Sequence, residues 1–176
     1  SPNLQNFPKR KHKEIRNIIC APEGHWIVSF DYGQIEARVI AMASRARKFC
    51  TQLWTAFDIH AHWAKRLFEE YPEWEDYLVE EFDLNPKDQK KIFKTGREEA
   101  KNSWVFALFY GSHYEGCAAM LNIPRNVGRK LSEEFWFDYA GVKTWQEELH
   151  SFYFSHGYVE TLTGRRRHAT LSVIER

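Results

Sequence analysis

Apolar side chains dominate the stretch Trp26–Phe30, which ends at Asp31. A short run of this kind, rich in aromatic and β-branched residues, predicts a strand with an acidic side chain at its end. From Gln34 onward, apolar residues such as Val39 recur at helical spacing, which predicts a helix. The pattern therefore begins with a strand-turn-helix unit.

Helical spacing continues through most of the remaining chain. It predicts helices near 53–57 and 60–68, an acidic amphipathic helix within 69–86, one long helix over 88–109 that Gly96 weakens, and helices over 123–139 and 142–156. After them, the segment Gly157–Gly164 predicts a β-hairpin with Gly164 at its turn.

The composition, 43% hydrophobic and 28% charged residues, is typical of a globular domain and excludes a disordered chain. The sequence contains no apolar run of spanning length and no apolar leader, so a cytoplasmic location, in the nucleoid or in a host cytoplasm if the source is viral, is the default expectation. Charge is segregated along the chain. Basic zones at 9–16, 87–101 and 165–167 flank an acidic zone at 69–83, a pattern that favours contact between the basic zones and a polyanion, although such zones often only solvate helix faces.

The segment Asp31-Tyr-Gly-Gln-Ile-Glu-Ala-Arg38 is the most specific motif in the chain. An Asp at a strand end can bind Mg²⁺ through its carboxylate, with the next backbone carbonyl as a second oxygen ligand, although a lone Asp there is more often a helix cap. The motif resembles the metal-binding motif of family A (polymerase I-like) DNA polymerases, Asp-Tyr-Ser-Gln-Ile-Glu-x-Arg. The resemblance implies that Asp31 is catalytic and that Asp31 and the Tyr32 carbonyl bind one of two Mg²⁺ ions. It also implies that Gln34 and Glu36 contact the incoming deoxynucleotide.

A second motif pairs two cations with two aromatic residues. Arg97 and Lys101 are four residues apart and share a helix face, where they can grip a triphosphate. The motif resembles the nucleotide-binding helix of the same family, but one extra residue separates Lys101 from Phe106. A π-bulge would absorb that residue. Phe106 is then expected to stack on the incoming base and Tyr110 to lie beside the template base, with Val105 as the alternative to Phe106 if the helix is regular.

Three further segments fit the resemblance. His60, in Asp58-Ile-His60, is expected to bind the triphosphate. Asn3 and Gln5, in the turn-rich amino-terminal segment, are expected to contact primer and template. The cluster Arg165, Arg166 and Arg167 is expected to lie near the nucleic acid, where arginines contact phosphates.

The resemblance implies an α/β (α+β) fold: a partial palm with short antiparallel strands and a mostly helical fingers subdomain. The palm part would comprise residues 1–44, the fingers 45–155 with an acidic insertion near 69–86, and 156–176 would return to the palm with the hairpin and arginine cluster. The family's later motif with a second catalytic Asp has no counterpart here, so we expect a fragment of a larger polymerase domain, inactive alone. Its expected partners are a DNA primer/template, a dNTP and the remainder of the polymerase chain, and none is a membrane.

Two other functions are compatible with parts of the sequence. The basic zones and aromatic residues alone would suit a nucleic-acid-binding module without catalysis. A metal hydrolase could use Asp31, Asp58, His60 and His62, provided that the histidines lie on a strand, where residues two apart share a face.

Overall fold

The computed structural model describes residues 18–168, which divide into two compact units after Gln34. In the first unit, the predicted strand Trp26–Phe30 has an irregular backbone, as does Asp31. Trp26 and Phe30 are each 91% exposed. The strand prediction is therefore wrong for this structure. A strand needs a neighbour for its backbone N–H and C=O groups, and residues 18–34 contain no second strand.

The second unit is mostly helical. Its helices within the described residues are α1 (Ile35–Ala43), α2 (Arg47–Trp54), α3 (Ile59–Glu70), α4 (Trp74–Glu81), α5 (Gln89–Glu99), a π-helix (Ala100–Val105), α6 (Phe106–Phe109), α7 (Tyr114–Met120), α8 (Arg125–Asp138) and α9 (Ala140–His156). Two short strands, β1 (Val159–Glu160) and β2 (Arg166–Arg167), pair antiparallel. None of the helices in the described part of the chain has the length and apolar character needed to span a bilayer.

Most predicted elements are present. The long helix predicted over 88–109 is one continuous segment made of α5, the π-helix and α6, and the hairpin turns at Gly164, whose φ is +83°. The acidic helix begins at Trp74, later than predicted, because α3 runs to Glu70 and Pro72 interrupts the helical hydrogen bonding between them. Helix α7 has no counterpart among the predicted elements.

An aromatic core lies between α2, α3, the continuous segment, α8 and α9. The ring centroid of Phe109 lies 5.0 Å from that of Phe135 and 5.5 Å from that of Tyr139. The ring centroids of Trp63 and Phe135 are also 5.0 Å apart. The Trp63 indole N–H also donates a hydrogen bond to the Tyr139 hydroxyl, at 3.4 Å. These contacts fix α3 and the continuous segment, the two elements that carry the candidate site.

The acidic helix α4 is packed on one side and charged on the other. Trp74 and Leu78 are fully buried, and the Trp74 indole N–H donates to the Leu121 carbonyl oxygen at 2.9 Å. Its carboxylates at Asp76 and Glu80 are exposed. The helix is therefore amphipathic, as predicted, and its apolar side is part of the core of this unit.

Candidate nucleotide site

The predicted π-bulge is present and sets the orientation of every side chain that follows it. The Phe106 N–H donates to the Lys101 carbonyl oxygen five residues earlier, within the π-helix Ala100–Val105. Trp104 and Val105 are fully buried, whereas Phe106 is half-buried. Because the π turn contains one residue more than an α turn, the next side chain after Lys101 on the solvent-facing side of the helix is Phe106 and not Val105.

One surface of the continuous segment carries both cations and both aromatic rings. We call it the cationic-aromatic face, defined by Arg97, Lys101, Phe106 and Tyr110. The Lys101 ammonium lies 5.8 Å from the centre of the Phe106 ring, and that ring lies 5.8 Å from the ring of Tyr110. A cation and exposed aromatic surface in succession can accommodate a phosphate group and a stacked base.

His60, on α3, packs against this face. Its ring meets the edge of Phe106 with centroids 5.1 Å apart and planes at 71°. The side chain is buried, and its Nδ1 atom has no hydrogen-bond partner among the described residues. Burial is the largest cause that lowers the pKa of His60, to about 4; the positive charges of Arg97 and Lys101 add to the shift, and Asp58 opposes it. His60 is therefore neutral near pH 7.

Asp58 joins the two elements of the site. As the N-cap of α3, it accepts hydrogen bonds from the backbone N–H groups of His60 and Ala61, each at 3.0 Å. Its other oxygen accepts a hydrogen bond from the Arg97 Nε–H at 2.9 Å and lies 2.8 Å from Arg97 Nη2 in an ion pair. Burial acts to raise the pKa of Asp58, but the hydrogen bonds from Ala61 and Arg97 outweigh it, so the pKa is lowered. Arg97 also lies 3.5 Å from a Glu98 carboxylate oxygen.

Asp58 was predicted only as part of the Asp58-Ile-His60 motif and of the metal-hydrolase alternative, and Glu98 was not predicted. An Asp directly before a helical run is a sequence signal for an N-cap, and Asp58 carries that signal. Its second role, holding Arg97, depends on the packing of α3 against α5, which residue spacing alone does not give.

The metal-binding prediction rests on the first unit. Asp31 and Tyr32 are exposed there, and Gln34, with φ of +54°, closes the unit. A carboxylate and a backbone carbonyl are the oxygen donors that Mg²⁺ takes, but two donors do not complete its octahedral shell. No group of three His, Cys, Asp or Glu side chains in residues 18–168 could hold a metal. The oxygen donors suit the ion, and the rest of its shell would have to come from other groups.

The metal-hydrolase alternative loses its structural premise. His60 and His62 both lie on α3 rather than on a strand. Residues two apart on a helix point about 200° from each other, so they cannot share one ion.

The other predicted residues occupy three places. Glu36 is exposed in the first turn of α1. In the hairpin, Arg166 binds the Glu160 carboxylate at 2.8 Å and lies 4.5 Å from the centre of the Tyr158 ring, while Arg165 and Arg167 are exposed. Asn3 and Gln5 lie outside the described residues.

Comparison with known proteins points to one family. The sequence model of DNA polymerase family A matches residues 1–173 of this chain. DNA polymerase I of Chloroflexus aurantiacus is 35% identical over 169 residues, which are 95% of this chain and 16% of that protein. The thermostable DNA polymerase I of Thermus thermophilus is 31% identical over 169 residues, or 95% of this chain and 18% of that protein. The chain thus spans less than a fifth of the length of these relatives.

A solved structure of the POL domain of Pol1 from M. smegmatis, in complex with DNA primer-template and dNTP, has a TM-score of 0.63 to this chain at 25% identity. The match covers 95% of this chain and 27% of that one.

Proposed function

Because this chain belongs to DNA polymerase family A, we propose that it forms the nucleotide-binding part of a DNA-directed DNA polymerase. In that reaction, the 3′-hydroxyl of a primer attacks the α-phosphate of a dNTP, and pyrophosphate leaves. The chain would act within a longer polymerase, with residues 45–155 as fingers and residues 1–44 and 156–176 as parts of the palm. Such an enzyme would work where the DNA is, on the cytoplasmic side.

The observation that carries the proposal is the order of groups along the cationic-aromatic face. Arg97 and Lys101 offer charge-assisted hydrogen bonds to phosphate oxygens, and Phe106 and Tyr110 follow at the other end with ring surface for bases. His60 borders Phe106 and is neutral, so it can donate a hydrogen bond to a phosphate oxygen without adding charge. A dNTP has the matching order of triphosphate, sugar and base.

Each residue has a proposed role. Phe106 stacks on the incoming base and Tyr110 contacts the template base. Gln34 and Glu36 contact the incoming nucleotide near its sugar. Arg165, Arg166 and Arg167 contact the phosphates of primer or template, as do Asn3 and Gln5 through their amide groups.

Asp31 is the proposed catalytic carboxylate. Its side chain and the Tyr32 carbonyl are proposed ligands of Mg²⁺, which when bound would neutralise charge on the reacting phosphates. Changing Asp31 to Ala in the complete polymerase should abolish primer extension and leave DNA affinity nearly unchanged. Extension at the parent rate would show that Asp31 is not catalytic and would support a nucleic-acid-binding role for this part of the polymerase.

Titration calorimetry of a dNTP with Mg²⁺ tests the nucleotide site directly. We expect the 176-residue chain to bind the dNTP and a double variant, Arg97→Ala with Lys101→Ala, to lose that binding. A matched double variant, Arg47→Ala with Lys143→Ala, removes two exposed cations from α2 and α9 and should bind like the parent. Equal binding by all three proteins would contradict the proposed site.

A further inference from the structure

The two cations of the cationic-aromatic face continue a longer row. Lys90 and Lys94 precede Arg97 and Lys101 on the same helical segment, at successive spacings of four, three and four residues. Those spacings place all four side chains along one side of a helix. Lys94 lies about one turn, and Lys90 about two turns, before Arg97 along α5.

Lys90 and Lys94 differ from Arg97 in their surroundings. Both are exposed, and neither forms an ion pair within the described residues. Glu75 on α4 does contact α5, but its carboxylate accepts a hydrogen bond from the Gln89 side chain, at 2.6 Å, and not from either lysine. The charges of the two lysines are therefore not neutralised by a direct contact within the described part.

The charged groups around Arg97 and Lys101 carry no net positive charge without these lysines. Arg97 is held between the carboxylates of Asp58 and Glu98. Formally, those two carboxylates cancel the charges of Arg97 and Lys101, and His60 adds none near pH 7 because burial lowers its pKa. A nucleoside triphosphate remains anionic even with a Mg²⁺ ion bound, so a cluster without net charge attracts it weakly.

The order of side chains along the helical segment indicates which way a bound nucleotide would lie. Phe106 and Tyr110, which suit the bases, lie on the carboxyl-terminal side of Lys101. The triphosphate would then extend toward the amino terminus of α5, where Lys94 is the next cation in the row. We propose that Lys94, assisted by Lys90, is a further binding residue for the triphosphate of the incoming nucleotide.

This inference rests on the proposed function and is tested by steady-state primer extension with the complete polymerase. The Lys94→Ala variant should raise KM for the dNTP about threefold, and the Lys90→Ala, Lys94→Ala double variant up to about tenfold, with kcat nearly unchanged; such factors match exposed charge interactions. The increase should shrink as salt is added, because exposed charges are screened over about 8 Å at physiological ionic strength. DNA affinity, measured by fluorescence anisotropy, should not change.

Lys91 provides the matched control. It is exposed and lies on the same helix, but about 100° around the axis from Lys90. The Lys91→Ala variant should keep the parent KM. The inference is overturned if the double variant keeps the parent KM, if Lys91→Ala raises KM equally, or if the lysine variants weaken DNA binding instead.

The same assays separate this inference from the proposed function. If Arg97→Ala with Lys101→Ala leaves dNTP binding intact, the nucleotide site itself is wrong. If that variant loses binding while the lysine variants retain the parent KM, only the role of Lys90 and Lys94 is wrong.

Discussion

Asp58 accepts a hydrogen bond from the Arg97 Nε–H at 2.9 Å and forms an ion pair with Arg97 Nη2 at 2.8 Å while it caps helix α3. One carboxylate therefore fixes the start of the helix that carries His60 and the guanidinium on the neighbouring helix. The approach of His60 to Phe106 depends on the same packing of α3 against the continuous segment. The Arg97 guanidinium and the aromatic surface are thus positioned together.

Replacing Asp58 separates its two roles. Asp58→Ala removes both the cap and the ion pair, and we expect the free energy of unfolding to fall by about 2 kcal/mol. Asp58→Asn keeps a good capping residue and should cost about 1 kcal/mol or less. Urea unfolding followed by circular dichroism measures both losses. Equal losses in the two variants would mean that the cap contributes nothing.

His60 should make stability depend on pH in an identifiable window. Its folded pKa is about 4, below its ordinary value of 6.5, so between these values the unfolded state binds the proton more readily. The free energy of unfolding should therefore fall as the pH is lowered from about 6.5 to about 4. Below about pH 4, His60 should make no further contribution to the pH dependence. Unfolding midpoints of the parent and of His60→Gln across this range measure the effect, and the variant should show a shallower slope.

His62 is the control for the pH experiment. Burial also lowers its pKa, so His62→Gln should reduce the slope, but less than His60→Gln does. The lowered pKa of Asp58 acts in a separate window, since its contribution is present above the ordinary value of 3.8 and is lost as pH falls through the folded value. Identical slopes for the parent and His60→Gln would contradict the assigned shift.

Sequence patterns predicted the local features of this fold better than the contacts between elements. The continuous segment and the hairpin at Gly164 follow from residue spacing, because hydrogen bonds between residues near in sequence form them. The π-bulge before Phe106 was predicted from the one extra residue that this sequence has relative to the family motif it resembles. The predicted strand Trp26–Phe30 failed because a strand depends on a partner that its own sequence does not specify. The link between Asp58 and Arg97 is likewise a contact between elements distant in sequence.

Gly128 permits the close approach of α7 and α8. A Cβ atom built there would lie 2.8 Å from the Cβ of Ala118, an atom fixed to the backbone of the neighbouring helix. Gly128→Ala should therefore destabilise the protein by about 1–3 kcal/mol, despite the better helix propensity of alanine. Adding Ala118→Gly should recover part of the loss in a double-mutant cycle measured by urea unfolding. Gly116→Ala, on α7 with open space around its Cβ position, should show no comparable loss.

The π-helix can be removed by deleting one residue. Asn102 is exposed in the π turn, and its deletion would put Trp104 three residues after Ala100, a spacing that keeps the tryptophan on the buried side of a regular helix. Arg97, Lys101, Phe106 and Tyr110 would then follow one another four residues apart. We expect the variant to fold and the complete polymerase carrying it to retain primer extension.

Inserting an alanine after Asn102 is the opposite change. It should turn Phe106 and Tyr110 by about 100° away from Lys101. The insertion would also put Ser103 in the buried position of Trp104, and Trp104 in the buried position of the smaller Val105. We expect this variant to lose primer extension and to unfold at lower urea concentration than the parent. Primer extension by both variants, with circular dichroism to confirm folding, measures the contrast. A folded deletion variant without activity would mean that the wide π turn itself, and not only the alignment of the four side chains, is required for nucleotide binding.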